Sequence, residues 1–425
     1  MTAQRNGLSA PTQQQGLIAY VMTHYPRVAL TFISGEIDAL ERRGVPIAPF
    51  AMNPPSDCDL GSEQLKLRRD RTTYLKSSWL AAFGAFFRQA LRHPLAMTRL
   101  LIRAIASARW DLGRAARRMA HLMEAALLAR QCSRRGVRHI HAHFGQAPAT
   151  IAWLASEIMN FRHAEITGWS FTIHGFHDFI DDAEARLDLK AAAAGFVICV
   201  SDFTKSQLCR ITPPQLWNRF HVVRCGIDLA AFPFRGERSL AATLRVVSVG
   251  RLSPEKGQLI LLGAVAMLCA KGFMVELVLV GDGPFKEGIE REVSRLGLQD
   301  QVTLTGELSA EDVQAHLLSA DVFCLPSFAE GLPVSIMEAM AIGVPVVSTL
   351  IGGIPELAID GKTALTVPAS NVDALAEALS RMMSDDDFRQ RAVKAAREAV
   401  VQRHDRERNA DQLATLLAPK AIQER

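Results

Sequence analysis

The second half of the chain repeats one unit, a short β-branched run that ends near Gly or Pro and is followed by a helical stretch. The runs are LRVVSVG (244–250), MVELVLVG (274–281), VTLTG (302–306), DVFCLP (321–326), VPVVST (344–349) and ALTVP (364–368). Runs this apolar, without alternation, read as strands covered on both faces, as in a parallel sheet. The helical stretches are one from Ser253-Pro254 to residue 270, then 284–297, 309–319, 333–342, a short one near 355, 371–383 and 387–402. Alternation at a spacing of roughly 20–30 residues predicts a doubly wound, Rossmann-like domain.

The first half repeats the pattern less regularly. GLIAYVM (16–22), VPIAPFAM (45–52), HIHAHF (139–144), FTIHG (171–175), GFVICVS (195–201) and RFHVVRCGID (219–228) read as strands, with helices at 31–43 and 147–159. A length of 425 residues also suits two domains. The expected division is a disordered tail (1–15), a first domain (16–228), a linker (229–243) containing FPFRGERSLAAT, a second domain (244–402) and a tail (403–425), helical and packed back on the first domain. Two Rossmann-like α/β domains facing each other leave a cleft at the carboxyl ends of their strands, where ligands of such sheets bind.

Composition narrows the class. With 49% hydrophobic and 22% charged residues the chain has material for two cores and is not a disordered sequence. Seven cysteines, an odd number with no CxxC pair, predict neither a disulfide framework nor a zinc ribbon, and fit a reduced, cytoplasmic compartment. The polar start MTAQRNGLSAPTQQQG lacks the apolar stretch of a signal peptide, and the uncharged run 339–355 is broken by Pro345 and three glycines, so no membrane span is expected. The net charge of +4 hides an asymmetry: residues 66–138 hold 17 Lys and Arg against Asp70, Asp111 and Glu124. That segment carries a strong positive field.

Chemistry concentrates in FAEGLPVSIME (328–338). Glu330 lies in a loop after a strand, Pro333 suits a first helical position, and the free amides of Gly331, Leu332 and Val334 make an anion site at the helix start. Glu338 lies roughly 12 Å beyond Glu330 along the axis if the span is helical. A diphosphate at the helix start would have its sugar near one carboxylate and its ribose near the other. The alternative is two solvated glutamates, which the apolar neighbours Ile336, Met337, Ala339 and Met340 argue against. In VGRLSPEKG (249–257), Arg251 follows a strand-ending glycine and Lys256 falls in a first helical turn, where a cation is unfavourable unless an anion binds there. Both are candidates to hold a leaving diphosphate, against the plainer reading of surface charges after a turn. VGDGP (280–284), with Gly281, is a weaker glycine turn of the same kind.

Together VGRLSPEKG, VGDGP, VTLTGEL and AEGLPVSIMEAMAIGVPVVST resemble the family 4 retaining glycosyltransferases of GT-B fold, and Glu330 and Glu338 match that family's E-x7-E motif. YPRVALTFISGEI, HIHAHFGQAPATIAWLAS, FTIHGFHDF, VICVSDFT and RCGIDLAAF are similar to the branch that builds bacterial exopolysaccharides such as colanic acid, so the resemblance spans 18–402. It implies a metal-independent hexosyltransferase without cofactor, using a UDP- or GDP-linked sugar and a polyprenyl-diphosphate-linked glycan acceptor. It also implies that the second domain binds the nucleotide sugar and the first faces the acceptor. The catalytic set it implies is His174, Glu330, Arg251 and Lys256. The donor-binding set is Arg251, Lys256, Gly281, Glu330, Gly331, Leu332, Pro333 and Glu338, with Glu330 at the sugar and Glu338 at the ribose. The branch carries Ser-Glu where this chain has Ala29 and Leu30, so acceptor contacts through that loop are not implied. A sugar-nucleotide epimerase and a catalytically idle nucleotide-sugar-binding scaffold are the competing readings.

Two signals have plain readings. The alternating His139, His141 and His143 share one strand face with no nearby Asp, Glu or Cys, which favours a structural or cleft-lining role over a metal. Asp57 and Asp59 sit in a Pro-rich loop far from any nucleotide signal and read as a chance D-x-D. The basic segment is more open. Arg88, Arg92, Arg99 and Arg103 share a helical face if Pro94 merely kinks the helix, with Trp79, Phe83, Phe86 and Phe87 upstream. Docking on an anionic membrane, at the inner face of the cytoplasmic membrane, competes with a solvated face. No nucleic-acid recognition module is present.

Overall fold

The computed structural model describes residues 16–27, 30–55, 63–108, 111–162, 168–236, 238 and 242–418. The predicted tail 1–15, Ala29, the Asp57/Asp59 pair, part of the linker and residues 419–425 lie outside them.

The expected pair of parallel-sheet domains is what the structure shows. In the first, β1 (Leu17–His24), β2 (Ile47–Asn53), β3 (Thr73–Tyr74), β4 (Val137–His143), β5 (Gly168–Ile173), β6 (Phe196–Cys199) and β7 (Phe220–Val222) form one sheet in the order β3-β2-β1-β4-β5-β6-β7. In the second, β8 (Thr243–Val249), β9 (Met274–Val280), β10 (Val302–Gly306), β11 (Val322–Leu325), β12 (Val346–Thr349) and β13 (Leu365–Val367) run in the order β10-β9-β8-β11-β12-β13. The winding reverses between β1 and β4 and between β8 and β11, and such switch points open crevices at the strands' carboxyl ends. Only β3 escapes the sequence pattern.

Each sheet is covered on both faces, which is why its strands read as continuous apolar runs. One face of the first sheet is covered by helices Trp79–Arg92, Pro94–Ala106 and Leu112–Arg135, so the basic segment forms a layer of the domain. Its Ala82, Ala85, Met97, Leu100 and Leu122 are buried there with Phe50 and Ile140. Pro94 starts a new helix rather than kinking one, because His93 leaves helical geometry (φ −138°, ψ 60°). The four arginines therefore do not form one continuous face. Among the described residues no helix is long and apolar enough to cross a membrane.

The opposite face of the first sheet receives helix Arg406–Leu417, whose Leu413 and Leu417 join Ile33, Ile37 and Leu40 of helix Thr31–Arg42. Arg43 holds Asp411 at 2.5 Å and Glu407 at 2.7 Å across this seam, and Arg406 holds Asp228 at 2.7 Å.

A second fastening ties the domains together nearer the cleft. Glu356, on the short helix Ile354–Leu357, accepts from the backbone N–H of Asp202 at 3.0 Å and of Phe203 at 2.7 Å. Those amides start helix Asp202–Arg210 of the first domain, where a carboxylate is favoured, and Arg224 adds a bond to Glu356 at 3.0 Å. Removing this acceptor leaves two amides without a partner, while Arg224 keeps Asp202 at 2.5 Å. Glu356→Ala is expected to cost about 2 kcal/mol, the scale of a hydrogen bond to a charged group. Denaturant unfolding checks this, and a loss within experimental error would mean water replaces the carboxylate without cost.

Candidate active site

The second-domain wall is built where β8 and β11 end. After β8 the chain makes a single 3-10 turn, Pro254–Lys256, and then passes through Gly257 at φ 68° before helix Gln258–Ala270. A side chain at Gly257 would meet the Pro326 carbonyl oxygen at 2.1 Å, so this turn lies directly on the turn after β11. The Phe328 N–H donates to the Glu255 carbonyl at 2.7 Å and locks the two together. Lys256 is thus not in the first turn of the long helix, as its sequence position suggested. Its Nζ instead lies 2.6 Å from Glu330 Oε1, which also accepts from Ser327 Oγ at 2.7 Å. Glu330 is only 8% exposed, so the cation and the carboxylate neutralise each other in a largely water-free place.

Past Glu330, helix Val334–Ile342 begins with Pro333 as the residue before its first turn, one position earlier in role than its sequence suggested. Glu338 lies on this helix, and burial alone pushes its carboxyl up to about 7.

The first-domain wall comes from the ends of β4 and β5. His174 follows β5, its ring between Phe32 and Phe144 at centroid distances of 5.1 Å and 4.6 Å. Its Nε2 is 3.0 Å from His143 Nδ1. Behind His143 lies Glu36, 3.5 Å away and too far for a good hydrogen bond, which accepts from the Tyr20 hydroxyl at 2.9 Å. Burial holds His174 down at about 3 and His143 well below its ordinary range, so both rings are neutral at pH 7. Burial also pushes Glu36 up to about 7. His139 and His141 bond to Ser170 and Thr172 on the neighbouring strand at 2.7–2.9 Å, a hydrogen-bonded layer under the site. Among the described residues no group of His, Cys, Asp or Glu is arranged to hold a metal ion.

The loop carrying His174 is held by groups that sequence reasoning missed. Asp178 accepts from the Gly145 N–H at 2.7 Å and the His174 N–H at 2.9 Å, and burial pushes its carboxyl up to about 6. Buried Lys190 donates to the carbonyls of Gly145 at 2.7 Å and Gln146 at 2.9 Å.

The two walls meet backbone to backbone. A side chain built on Gly331 would lie 1.9 Å from the His174 carbonyl oxygen, and one on Gly353 would lie 1.9 Å from the Gly331 carbonyl. The resulting cleft, about 140 Å³, is lined by His174, Gly175, Lys256, Glu330, Gly331 and Leu332 among others. It brings together five of the residues singled out from the sequence. Arg251 stands exposed after β8, outside that lining, and Glu338 lies half-buried along the helix. Gly281 packs on the Gly250 carbonyl, 2.2 Å from where a side chain would start, which accounts for glycine there.

Two measurements follow from this geometry. Gly331→Ala is expected to force the domains apart and raise the radius of gyration in solution scattering, with each domain still folded; unchanged scattering would mean the loop yields instead. Glu338 gives a pH signature. Its folded pKa of about 7 lies above the ordinary 4.5, so between those values the folded protein keeps a proton that the unfolded chain has released. Stability from this group is therefore lost as pH rises through that window. Glu338→Gln is expected to raise the thermal midpoint at pH 8 by about 2–4 °C, the shift ~1 kcal/mol produces in a domain of this size. At pH 5 it should leave the midpoint nearly unchanged, and a variant that tracks the wild type from pH 5 to 8 would refute the assignment.

The comparisons with known proteins agree with this architecture. Residues 238–399 match the family model described as glycosyl transferases group 1. Over 212 residues the chain is 35% identical to WcaL of Salmonella typhimurium, a glycosyltransferase named for colanic acid biosynthesis, covering 48% of this chain and 52% of WcaL. Over 246 residues it is 37% identical to a GDP-mannose-dependent α-(1-6)-phosphatidylinositol monomannoside mannosyltransferase of Mycolicibacterium smegmatis, covering 54% of this chain and 62% of that one. The chain thus spans about half to three-fifths of the length of these relatives. The crystal structure of Anabaena Alr3699/HepE in complex with UDP-glucose superposes with a TM-score of 0.71 over 95% of this chain and 99% of that one, at 18% identity, which shows a common GT-B fold. The resemblance carried by the motifs of the second half has its counterpart here: residues 238–399 match the model of the group 1 glycosyltransferases.

Proposed function

We propose that the chain transfers a hexose from a UDP- or GDP-linked sugar to a lipid-linked oligosaccharide in bacterial exopolysaccharide or capsule synthesis, with retention of anomeric configuration and without a metal. One observation carries this reading: the Lys256–Glu330 pair and neutral His174 face each other across one cleft, at the switch point of the second sheet. Relatives named for colanic acid synthesis and for a GDP-mannose-dependent transfer support it, as does a structural neighbour solved with UDP-glucose.

In this mechanism the bond between the anomeric carbon and the diphosphate oxygen breaks, and the diphosphate leaves with the electron pair. The acceptor hydroxyl attacks from the same face and its proton passes to the departing phosphate oxygen. Lys256 shifts its charge from Glu330 towards the diphosphate, joined by Arg251 and the amides at 331–334. Glu330, freed of its cation, accepts from hydroxyls of the transferred sugar, and Glu338 accepts from the ribose. His174 carries no charge at working pH, so it serves as a hydrogen-bonding wall and not as a counter-ion.

The acceptor would be presented at an anionic membrane. Trp79, Leu80, Phe83, Phe87 and Leu91 are 45–87% exposed on the basic helical layer, an arrangement suited to a bilayer surface. Binding to vesicles should rise with phosphatidylglycerol content and fall with salt, and indifference to both would sink this element.

Lys256→Ala is expected to lower kcat by about 10²–10³, the usual loss when a group stabilising developing charge is removed. Proton NMR of the product should show the donor's anomeric configuration, and chelators should leave the rate unchanged. Inverted product, or Glu338→Ala with wild-type activity, would overturn the mechanism. Conversion of the nucleotide sugar without any acceptor would point to an epimerase instead.

A further inference from the structure

The basic helical layer holds a second cavity, separate from the cleft. It has a volume of about 260 Å³ and is lined by Arg88, Arg92, His93, Arg130, Ser133 and Arg134 among others, with no carboxylate in the lining. Arg88 and Arg92 lie one turn apart at the end of helix Trp79–Arg92. Arg130 and Arg134 lie one turn apart near the end of helix Leu112–Arg135. Like charges at this spacing repel along each helix, and here two such pairs share one cavity. Among the described residues none of the four is paired with Asp or Glu, and Arg130 Nε is buried without a hydrogen-bond partner.

A plain account exists for half of this arrangement. Cations in a helix's last turn offset its negative end, which suits Arg92 and Arg134. The effect fades within that turn, so it does not explain Arg88 and Arg130, nor a buried donor with nothing to donate to. An anion in the cavity would explain all three.

The place is remote from the donor site. Helix Ala147–Met159 starts beside the His174 loop, and its far end, Ile158 and Met159, lines this cavity. Thirteen residues of helix span about 20 Å, which sets the cavity well apart from the place of the donor diphosphate.

We propose that this cavity binds a phosphoryl group, gripped by the two facing arginine pairs. Arginine's planar fork suits phosphate oxygens, and Arg130 Nε supplies the donor that is otherwise unused. The phosphoryl group has two available sources, an anionic phospholipid headgroup or a soluble phosphate. The exposed Phe87, Leu91 and Leu95 beside the arginines provide apolar surface for a lipid's chains. The proposal does not depend on the transfer reaction.

The test uses the full chain in three forms: wild type, Arg88→Gln/Arg130→Gln, and a charge-matched control, Arg99→Gln/Arg114→Gln. Each is titrated calorimetrically with inorganic phosphate and sedimented with phosphatidylglycerol or phosphatidylcholine vesicles. The cavity variant is expected to lose about tenfold in affinity in at least one arm, the size of one charge-assisted contact, while the control stays close to wild type. Loss in the phosphate arm alone assigns a soluble source, and loss with phosphatidylglycerol vesicles assigns the headgroup. If cavity variant and control behave alike in both arms, the proposal is overturned. Vesicle binding equal in all three forms, together with unchanged phosphate affinity, would overturn it while leaving membrane docking through the apolar face intact.

Discussion

Two glycines set the distance between the domains. Gly175 follows His174 on one side, Gly331 follows Glu330 on the other, and each would collide with the other's backbone if it carried a side chain. Gly352 and Gly353 stand behind in the same way, on the carbonyls of Glu330 and Gly331. Three stretches of bare backbone are stacked where side chains would otherwise hold the sheets apart. The carboxyl ends of β5 and β11 then close around a space of ligand size, and Glu356, only a few residues on, fastens the arrangement through the start of a helix in the opposite domain.

The two walls solve the problem of buried polarity in different ways. On the first-domain side burial works against charge: His141, His143 and His174 are far from protonation at pH 7, and the carboxyls of Glu36 and Asp178 are pushed up to about 7 and about 6. On the second-domain side charge survives because Lys256 and Glu330 lie against each other. A hydrogen-bonding wall of neutral histidines opposite a wall of exchangeable charge is complementary to a molecule that is hydroxyl-rich at one end and anionic at the other. The proposed donor has that form.

What the sequence made legible was whatever depends on neighbours along the chain. Continuous apolar runs located every strand except β3, whose two residues are too few to show a pattern. Lys256 was recognised as a misplaced cation, yet its helix was drawn one turn too early, because Gly257 breaks the chain there for the sake of a contact with Pro326, 69 residues away. Whether Pro94 kinks a helix or starts a new one is open for a similar reason, since local pattern does not say whether two helical stretches stay collinear. Glu36 and Asp178 lie within quoted motifs but nothing local assigns them a role, and Lys190 and Glu356 carry no signal at all. Glu356 acts on amides more than 150 residues distant, and Asp178 reaches back 33 residues to Gly145, so their roles exist only after folding. The alternating histidines hinted at a buried polar face on β4 without naming the serine and threonine that complete it.

Helix Arg406–Leu417 has a bearing on how the molecule is made. The ribosome delivers the first sheet early, but one face of it stays open until Leu413 and Leu417 have emerged, after the whole second domain. During synthesis Ile33, Ile37 and Leu40 have their first-domain neighbours Ile18, Tyr20 and Ile47 early, but lack the cover of Leu413 and Leu417 for nearly the length of the chain. The first domain therefore completes its surface only when the last helix of the chain has been made, so its finished form depends on residues that follow the whole second domain.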